Sequence, residues 1–343
     1  MTREPLTIAL DANGGDAGVE PTIGGAARLS LEDADLHVLC VGDVERMSRV
    51  LATRPHDPSR LSLVHAKDVV PMDAKPQEAL EALDDTSVVR AASMVAAGEA
   101  DAMVSAGNTG ATVLAAARSF ARLEGIRRAA LASVYPTTRR HGPKRDPFGL
   151  MLDVGATLQA TPDDLIGFAV MGSAYSSIVS EIPQPAVALL SNGHEPTKGT
   201  PAIVEAHRRL LASGLNFQGN IEGLDIATGR VDVVVCDGFL GNVVLKMIEG
   251  MGDVLRTLTT EASARKLQWR IGLSMLGGGI EELKKRTDWK VYGGAPLLGL
   301  DQVVIKAHGR SEDRAIRNAL KVAAKTVRGG LVDKIHEGMG NIR

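Results

Sequence analysis

What most limits the fold of this chain is a set of short apolar runs: LTIAL at Leu6, LHVLCV at Leu36, AMVSA at Ala102, AVALL at Ala186 and VDVVVC at Val231. None alternates apolar with polar residues. A strand with one wet face alternates, whereas a strand covered on both faces reads as a continuous apolar run. Between the runs lie helix-like stretches, among them TVLAAARSFARL from Thr112, DDLIGFAVMGSAYSSIVS from Asp163 and VVLKMIEGMGDVL from Val243. Strands and helices in turn predict an α/β fold, a largely parallel sheet flanked by helices. At 343 residues the length allows one continuous sheet or two domains. The nearest thing to a boundary, PTTRRHGPKRDPF from Pro136 to Phe148, reads as a long loop or hairpin.

Composition narrows the partners. Hydrophobic residues make up 44% of the chain, ample for a core, but aromatic residues only 3%, too few for a base-stacking surface, so nucleic acid is not expected. A net charge of −2 gives no global pull toward acidic polymers or membranes, and any such partner must be met by a local patch. Cys40 and Cys236 both lie inside apolar runs, far apart in sequence, which makes neither a disulfide framework nor a zinc-ligand spacing and fits a reducing cytoplasm. No run approaches the roughly 18 apolar residues of a spanning helix, so neither a signal peptide nor a transmembrane segment is expected.

In open parallel sheets, ligands bind beyond the carboxyl ends of strands, where loop amides and helix amino termini favour anions. Four glycine-bearing loops have that form: Asp11 to Asp16 (DANGGD), Ser105 to Gly110 (SAGNTG), Asp237 to Asn242 (DGFLGN) and Gly293 to Pro296 (GGAP). Each fits an anion cradle or simply a tight turn. Their joint appearance favours the cradle. None carries the Gly-Lys-Ser/Thr ending of a nucleotide-hydrolysing loop or the full dinucleotide spacing with its ribose-binding acid. A fifth segment, Ser191 to Gly199 (SNGHEPTKG), places Lys198 just before a helix from about Pro201, where it could reach an anion held by amides or stand solvated. Cys236 fits a small apolar residue closing a strand or, less simply, an acyl-accepting thiol. His308 in KAHG fits a structural histidine or an acid/base. Asp153 and Asp237 have no clustered third acid, and no metal is expected.

Residues 263 to 290 stand apart, with Trp269, Ile271, Leu273, Met275, Leu276 and Ile280 interleaved with Arg265, Lys266, Arg270, Lys284, Lys285 and Arg286. Glycines 277 to 279 are expected to split the segment into two helices. On pattern alone it suits a core or dimer face or a membrane surface.

Taken in order, LDANGGD at Leu10, SAGNTGA at Ser105, MLDVGA at Met151, KG at Lys198, VDVVVCDGFLGNVVLKMIEG at Val231 and GGAPLLGLDQVVIKAHG at Gly293 resemble the bacterial phosphate acyltransferases of phospholipid synthesis, over nearly the whole chain. Departures are Asn13 in place of methionine, Thr157 in place of the asparagine after DVGA, and His194 in place of an acid before Glu195. The resemblance implies one acyltransferase domain over residues 1–343: a three-layer α/β/α sandwich like phosphotransacetylases and isocitrate or isopropylmalate dehydrogenases, usually a homodimer. It implies transfer of a fatty acyl group from acyl-acyl carrier protein to inorganic phosphate, with no cofactor and no covalent enzyme intermediate.

In that reading Lys198 and Asn242 are catalytic. Gly14, Gly15, Asp16, Ser105, Gly107, Asn108, Thr109 and Gly110 hold phosphate, and Asp237, Gly238, Gly241 and Glu195 bind substrate. The resemblance also implies a projecting helical pair at about 263–290 that meets the membrane through Trp269, Leu273 and Leu276. The enzyme would then sit in the cytoplasm against the inner face of the membrane, beside the glycerol-3-phosphate acyltransferase that takes its product. Arg139, Arg140, Lys144 and Arg145 are a candidate basic surface for the acidic carrier protein, or solvated loop charge. The alternatives are a phosphotransacetylase using coenzyme A, a dehydrogenase of similar fold, and a catalytically silent membrane scaffold.

Overall fold

The unbroken apolar runs become strands because each of their two faces is covered. In a computed structural model, which describes residues 5–265, 267–279 and 293–342, the runs form β1 (Leu6–Asp11), β2 (Leu36–Gly42), β4 (Ala102–Ser105), β7 (Val187–Leu190) and β9 (Val233–Val235). Along β1, Ile8 and Leu10 enter one core layer with Ile23 and Ile316. Ala9 between them enters another with Met103, Ala91 and Ala115. Helices Val19–Glu32 and Asp313–Arg328 cover the first face, and helices Ser87–Ala96 and Thr109–Ser119 the second.

The remaining strands are β3 (Leu61–His65), β5 (Ala130–His141), β6 (Asp146–Leu152), β8 (Phe217–Ile221), β10 (Ala295–Leu298) and β11 (Val303–Lys306). All join one sheet, in the order β3-β2-β1-β4-β11-β10-β5-β6-β9-β7-β8. The Pro136–Phe148 stretch is a hairpin, with Pro136 opposite Phe148 and His141 opposite Asp146. The Gly293–Pro296 segment, expected as a loop, differs: Ala295 and Pro296 already belong to β10, opposite Lys306 and Ile305. Pro296 is tolerated there because β10 pairs with β5 only from Leu297 onward, so the missing N–H falls where the strand has a single partner.

Strand direction divides the sheet. The block from β3 to β11 is parallel throughout, and so is the block from β6 to β8. Three antiparallel pairings, β11 with β10, β10 with β5 and β5 with β6, lie between them and reverse the sense of the second block. With a twist of roughly 20–25° per step, the four steps from β4 to β6 add about 80–100°. The carboxyl ends of the two blocks therefore do not lie along one common edge of the sheet.

The second block is built like the first. Helix Pro162–Val179 starts on a capping box, Thr161 with Asp164, and has proline at its first position. It buries Leu165, Phe168 and Met171 against Leu150, Leu152, Val187 and Val233. On the other face Met151, Ala188, Leu190 and Val234 meet Leu240, Val244 and Ile248 of the long helix Gly238–Arg265. Helix Leu267–Met275 follows, and a turn at Leu276 interrupts it, one residue ahead of the expected glycines 277 to 279, which are themselves helical. The expected helical pair runs on to residue 290, and its part from 280 lies outside the described residues.

Candidate active site

Asp153, at the carboxyl end of β6, organises the loop groups of the second block. Its side chain is wholly buried. One oxygen accepts from the amides of Leu131 (2.9 Å), Gly155 (3.2 Å) and Ala156 (3.0 Å). The other accepts from the Thr157 amide at 2.7 Å. Burial raises its pKa, and these donors oppose that shift. The carboxylate thus winds residues 153 to 157 around itself.

The next strand end packs onto that loop. Asp237 accepts from the Leu240 amide at 2.8 Å and opens helix Gly238–Arg265. The Gly238 amide donates to the Thr157 hydroxyl at 3.2 Å. Gly241 has no alternative residue, because an added Cβ would overlap the Asp153 carbonyl oxygen. One turn into the helix, Asn242 donates through Nδ2 to the Val154 carbonyl at 3.2 Å. That bond fixes the carboxamide and leaves its second N–H for a ligand. Thr157 contributes a hydroxyl acceptor at the helix start.

The Lys198 segment follows β7 in the same block. The Lys198 amide donates to the Glu195 carbonyl at 3.0 Å, and Asn220 Nδ2 donates to that carbonyl at 3.0 Å. Thr200 caps helix Pro201–Leu210. His194 Nε2 lies 2.7 Å from Asp225 Oδ2, tying the segment to helix Gly223–Thr228. The Lys198 side chain is exposed, and its ammonium has no hydrogen bond or ion pair among the described residues. Lys198, Glu195 and the Asp237–Asn242 loop thus all stand at the carboxyl ends of the second block.

The Gly14–Asp16 and Ser105–Gly110 loops stand at the carboxyl ends of the first. They touch each other: a Cβ on Gly14 would come within 2.6 Å of the Gly107 nitrogen. Several of the amides expected to hold phosphate already have acceptors. The Gly14 amide donates to the Asp11 carboxylate, the Asp16 amide to the Gly309 carbonyl at 2.8 Å, and the Gly107 amide to the Ser105 hydroxyl at 3.0 Å. Asn108 caps helix Thr109–Ser119 by accepting from the Ala111 amide, while its own NH2 donates to the carbonyls of Pro71, Met72 and Ala74. The amides of Asn108, Thr109 and Gly110 have no acceptor among the described residues.

No hydrogen bond among the described residues joins these two loops to the Lys198 and Asp237–Asn242 segments. The connection runs along helix Gly238–Arg265, whose Lys246 and Glu249 act electrostatically on His308, just beyond β11. His308 is exposed, and its pKa is lowered by partial desolvation and then by the Lys306 cation. Asp11, which the sequence marks only as the start of a glycine loop, forms one polar cluster with Ser105 and with Ser87 and Lys306, to which the sequence assigns no role. A carboxylate or lysine at the end of an apolar run was the only signal for them.

The family model described as fatty acid synthesis protein matches residues 6–334. The chain belongs to that family. Among curated relatives, the phosphate acyltransferase of Moorella thermoacetica is 40% identical over 327 residues, 95% of this chain and 94% of that protein. That of Heliobacterium modesticaldum is 41% identical over 333 residues, 97% of each. In fold, a phosphotransacetylase from Streptococcus pyogenes superposes with a TM-score of 0.64 at 17% identity, covering 94% of both chains. The EutD phosphotransacetylase of Staphylococcus aureus gives 0.58 at 16% identity over 94% of both.

In this chain Cys236 is a poor nucleophile. It is buried, with its thiol 3.5 Å from the Asp153 carbonyl. Burial, then Asp153 and Asp237, push its pKa well above the ordinary thiol range. Cys236→Ser is expected to keep turnover within a few-fold of wild type. Loss of an acyl-enzyme burst together with all turnover in the folded variant would overturn that assignment. No group of three His, Cys, Asp or Glu side chains suited to a metal occurs among the described residues. Of the four hairpin cations, Lys144 pairs with Glu181 at 2.7 Å and Arg139 donates to the Arg230 carbonyl.

Proposed function

We propose that the protein transfers a fatty acyl group from acyl-acyl carrier protein to inorganic phosphate, giving acyl phosphate for glycerol-3-phosphate acylation. The observation that carries the proposal is the near full-length relationship to phosphate acyltransferases, joined to a strand-end site in which Asn242 is fixed with an open N–H. A phosphate oxygen attacks the thioester carbonyl, the new C–O bond forms, and the carbonyl oxygen gains charge. Asn242 donates to that oxyanion. The C–S bond then breaks, and the thiolate takes a proton from solvent. Lys198, exposed and without a partner among the described residues, neutralises anionic charge at the same strand ends, while the amides opening helix Thr109–Ser119 favour phosphate. No covalent intermediate is needed, because phosphate is the nucleophile.

The same proposal makes the chain a homodimer that meets the inner membrane surface from the cytoplasm, next to the acyltransferase that uses its product. Phe239, Val243, Met247, Met251, Val254 and Leu258 form an exposed apolar stripe along helix Gly238–Arg265. Trp269 and Leu276 continue it as exposed residues, while the Leu273 side chain lies outside the described ones. No helix among the described residues is long and apolar enough to cross a membrane. Charging Trp269, Leu273 and Leu276 is expected to abolish flotation with anionic liposomes; unchanged flotation would count against membrane contact. The activity itself is tested by incubating the protein with phosphate and either acyl-acyl carrier protein or acyl-coenzyme A. Acyl phosphate formed mainly from the carrier-bound donor supports the proposal. Preference for coenzyme A with short acyl groups would instead favour a phosphotransacetylase.

A further inference from the structure

Asp11, Ser105 and Lys306 stand side by side across three parallel strands, Asp11 in register with Ser105 and Ser105 with Lys306. The residues two positions earlier, Ala9, Met103 and Val304, share one core layer. Alternation along the strands therefore puts all three polar side chains on that face, at its upper edge. Helices Ser87–Ala96 and Thr109–Ser119 cover the same face, and the first turn of each reaches the row. Ser87 Oγ donates to Asp11 at 2.6 Å, and Thr112 Oγ1 lies 3.2 Å from Ser105 Oγ.

Members of the row differ in how well they are satisfied. Asp11, 1% exposed, accepts from Ser87, from Ser105 at 2.6 Å and from the Gly14 amide. Lys306 is only 6% exposed, yet its ammonium donates to nothing but the adjacent Ala307 carbonyl, and no carboxylate pairs with it among the described residues. Asp11 and Asp16 act on it only through space. A buried ammonium without a paired anion is costly, because burial strips it of water with no opposite charge to replace it. Packing does not call for it, since β11 is otherwise apolar and a methionine would fill the same length. The amides of Asn108, Thr109 and Gly110, which open the helix over this face, also lack acceptors among the described residues. Both sets of donors stand at the carboxyl ends of the neighbouring strands β4 and β11.

We infer that Lys306 is a phosphate-binding cation, holding inorganic phosphate at the carboxyl ends of β1, β4 and β11, and that Asp11 and Ser105 position it there. The inference deepens the acyl-transfer proposal and rests on its use of phosphate as a reactant. Lys198, exposed on the other block, then meets the reacting end of the complex, while Lys306 anchors the nucleophile from below.

Two measurements on the full chain test this: steady-state kinetics with phosphate and acyl donor varied separately, and the rise in Tm produced by inorganic phosphate. Lys306→Met keeps the stem and removes the charge. It is expected to raise the KM for phosphate at least tenfold, leave the KM for the acyl donor unchanged, and lose the phosphate-dependent rise in Tm. An unchanged phosphate KM in a folded variant overturns the inference. So does an equal rise in both KM values, which would mark a structural role.

Should the variant not fold, wild type supplies the second measurement. The Lys306 ammonium, faced by Asp11, Asp16 and His308, loses its proton as pH rises, since burial lowers its pKa to about 8. Loss of that proton weakens the hold on an anion, and phosphate itself is already a dianion there. Phosphate protection is therefore expected to fall as pH rises through about 8, and protection that stays level well above it overturns the inference. If Lys306-dependent protection is found but no acyl phosphate forms, the acyl-transfer proposal fails and the phosphate site stands.

Discussion

Asn242→Ala is expected to lower kcat about 100-fold or more, the usual cost of removing one oxyanion donor, without lowering the unfolding free energy by more than about 1.5 kcal/mol. The reason is local. Among the described residues the Asn242 side chain makes a single hydrogen bond, to the Val154 carbonyl, at the edge of the loop that Asp153 holds. Losing it costs little structure, roughly the 0.5–1.5 kcal/mol net of one hydrogen bond, but removes the fixed donor above the strand end. Asn242→Asp, which keeps the size and loses both N–H groups, is expected to fall at least as far because a carboxylate repels a developing oxyanion. Lys198→Ala is expected to fall similarly in kcat/KM for phosphate. Near wild-type turnover in either folded Asn242 variant would remove this residue from the mechanism.

Asp153→Ala is expected to have the largest effect on stability. Four backbone amides lose their common acceptor in a site with no exposure. At about 1–3 kcal/mol for each buried donor left unsatisfied, even incomplete additivity gives roughly 3 kcal/mol or more. The damage also spreads. The loop from residue 153 to 157 supplies the Val154 carbonyl that orients Asn242 and the Thr157 hydroxyl that accepts from Gly238. Urea unfolding followed by circular dichroism measures the first effect, and acyl phosphate formation the second. A destabilisation below about 1 kcal/mol would mean that water takes over the four amides and that the carboxylate does not organise the loop.

The contrast between these residues explains what could be read from sequence. The strands of LTIAL and VDVVVC were legible because both faces are covered, and a two-faced apolar strand cannot hide its pattern. The Pro136–Phe148 hairpin was half legible: its charge and prolines mark it as exposed, but Pro136 and the interrupted pairing up to His141 conceal how long β5 is. β10 was not legible, since Gly293, Gly294 and Pro296 are ordinary loop signals and only the single-sided pairing makes the proline acceptable.

At the site, the glycine loops announced the strand ends, and the motif set announced Lys198 and Asn242. What sequence left out is which loops share a side. Gly14–Asp16 with Ser105–Gly110, and Lys198 with Asp237–Asn242, separate because β10 and β5 reverse the sheet, and strand direction is a property of pairing that no local pattern encodes. The cluster of Asp11 and Lys306 with Ser105 was not legible for a related reason, since they become its neighbours only through register across strands distant in the chain.

The position of β11 has a consequence for how the protein comes into being. This strand sits between β4 and β10, in the interior of the sheet, yet it is made from residues 303 to 306. Until the ribosome has added them, the first block ends at β4 with a bare row of N–H and C=O groups, and the second has nothing to join. Pairing over such sequence distances is slow, and an open β4 edge invites pairing with other chains. The nascent protein therefore depends on its last strand to seal the sheet, and Lys306 arrives with the seal.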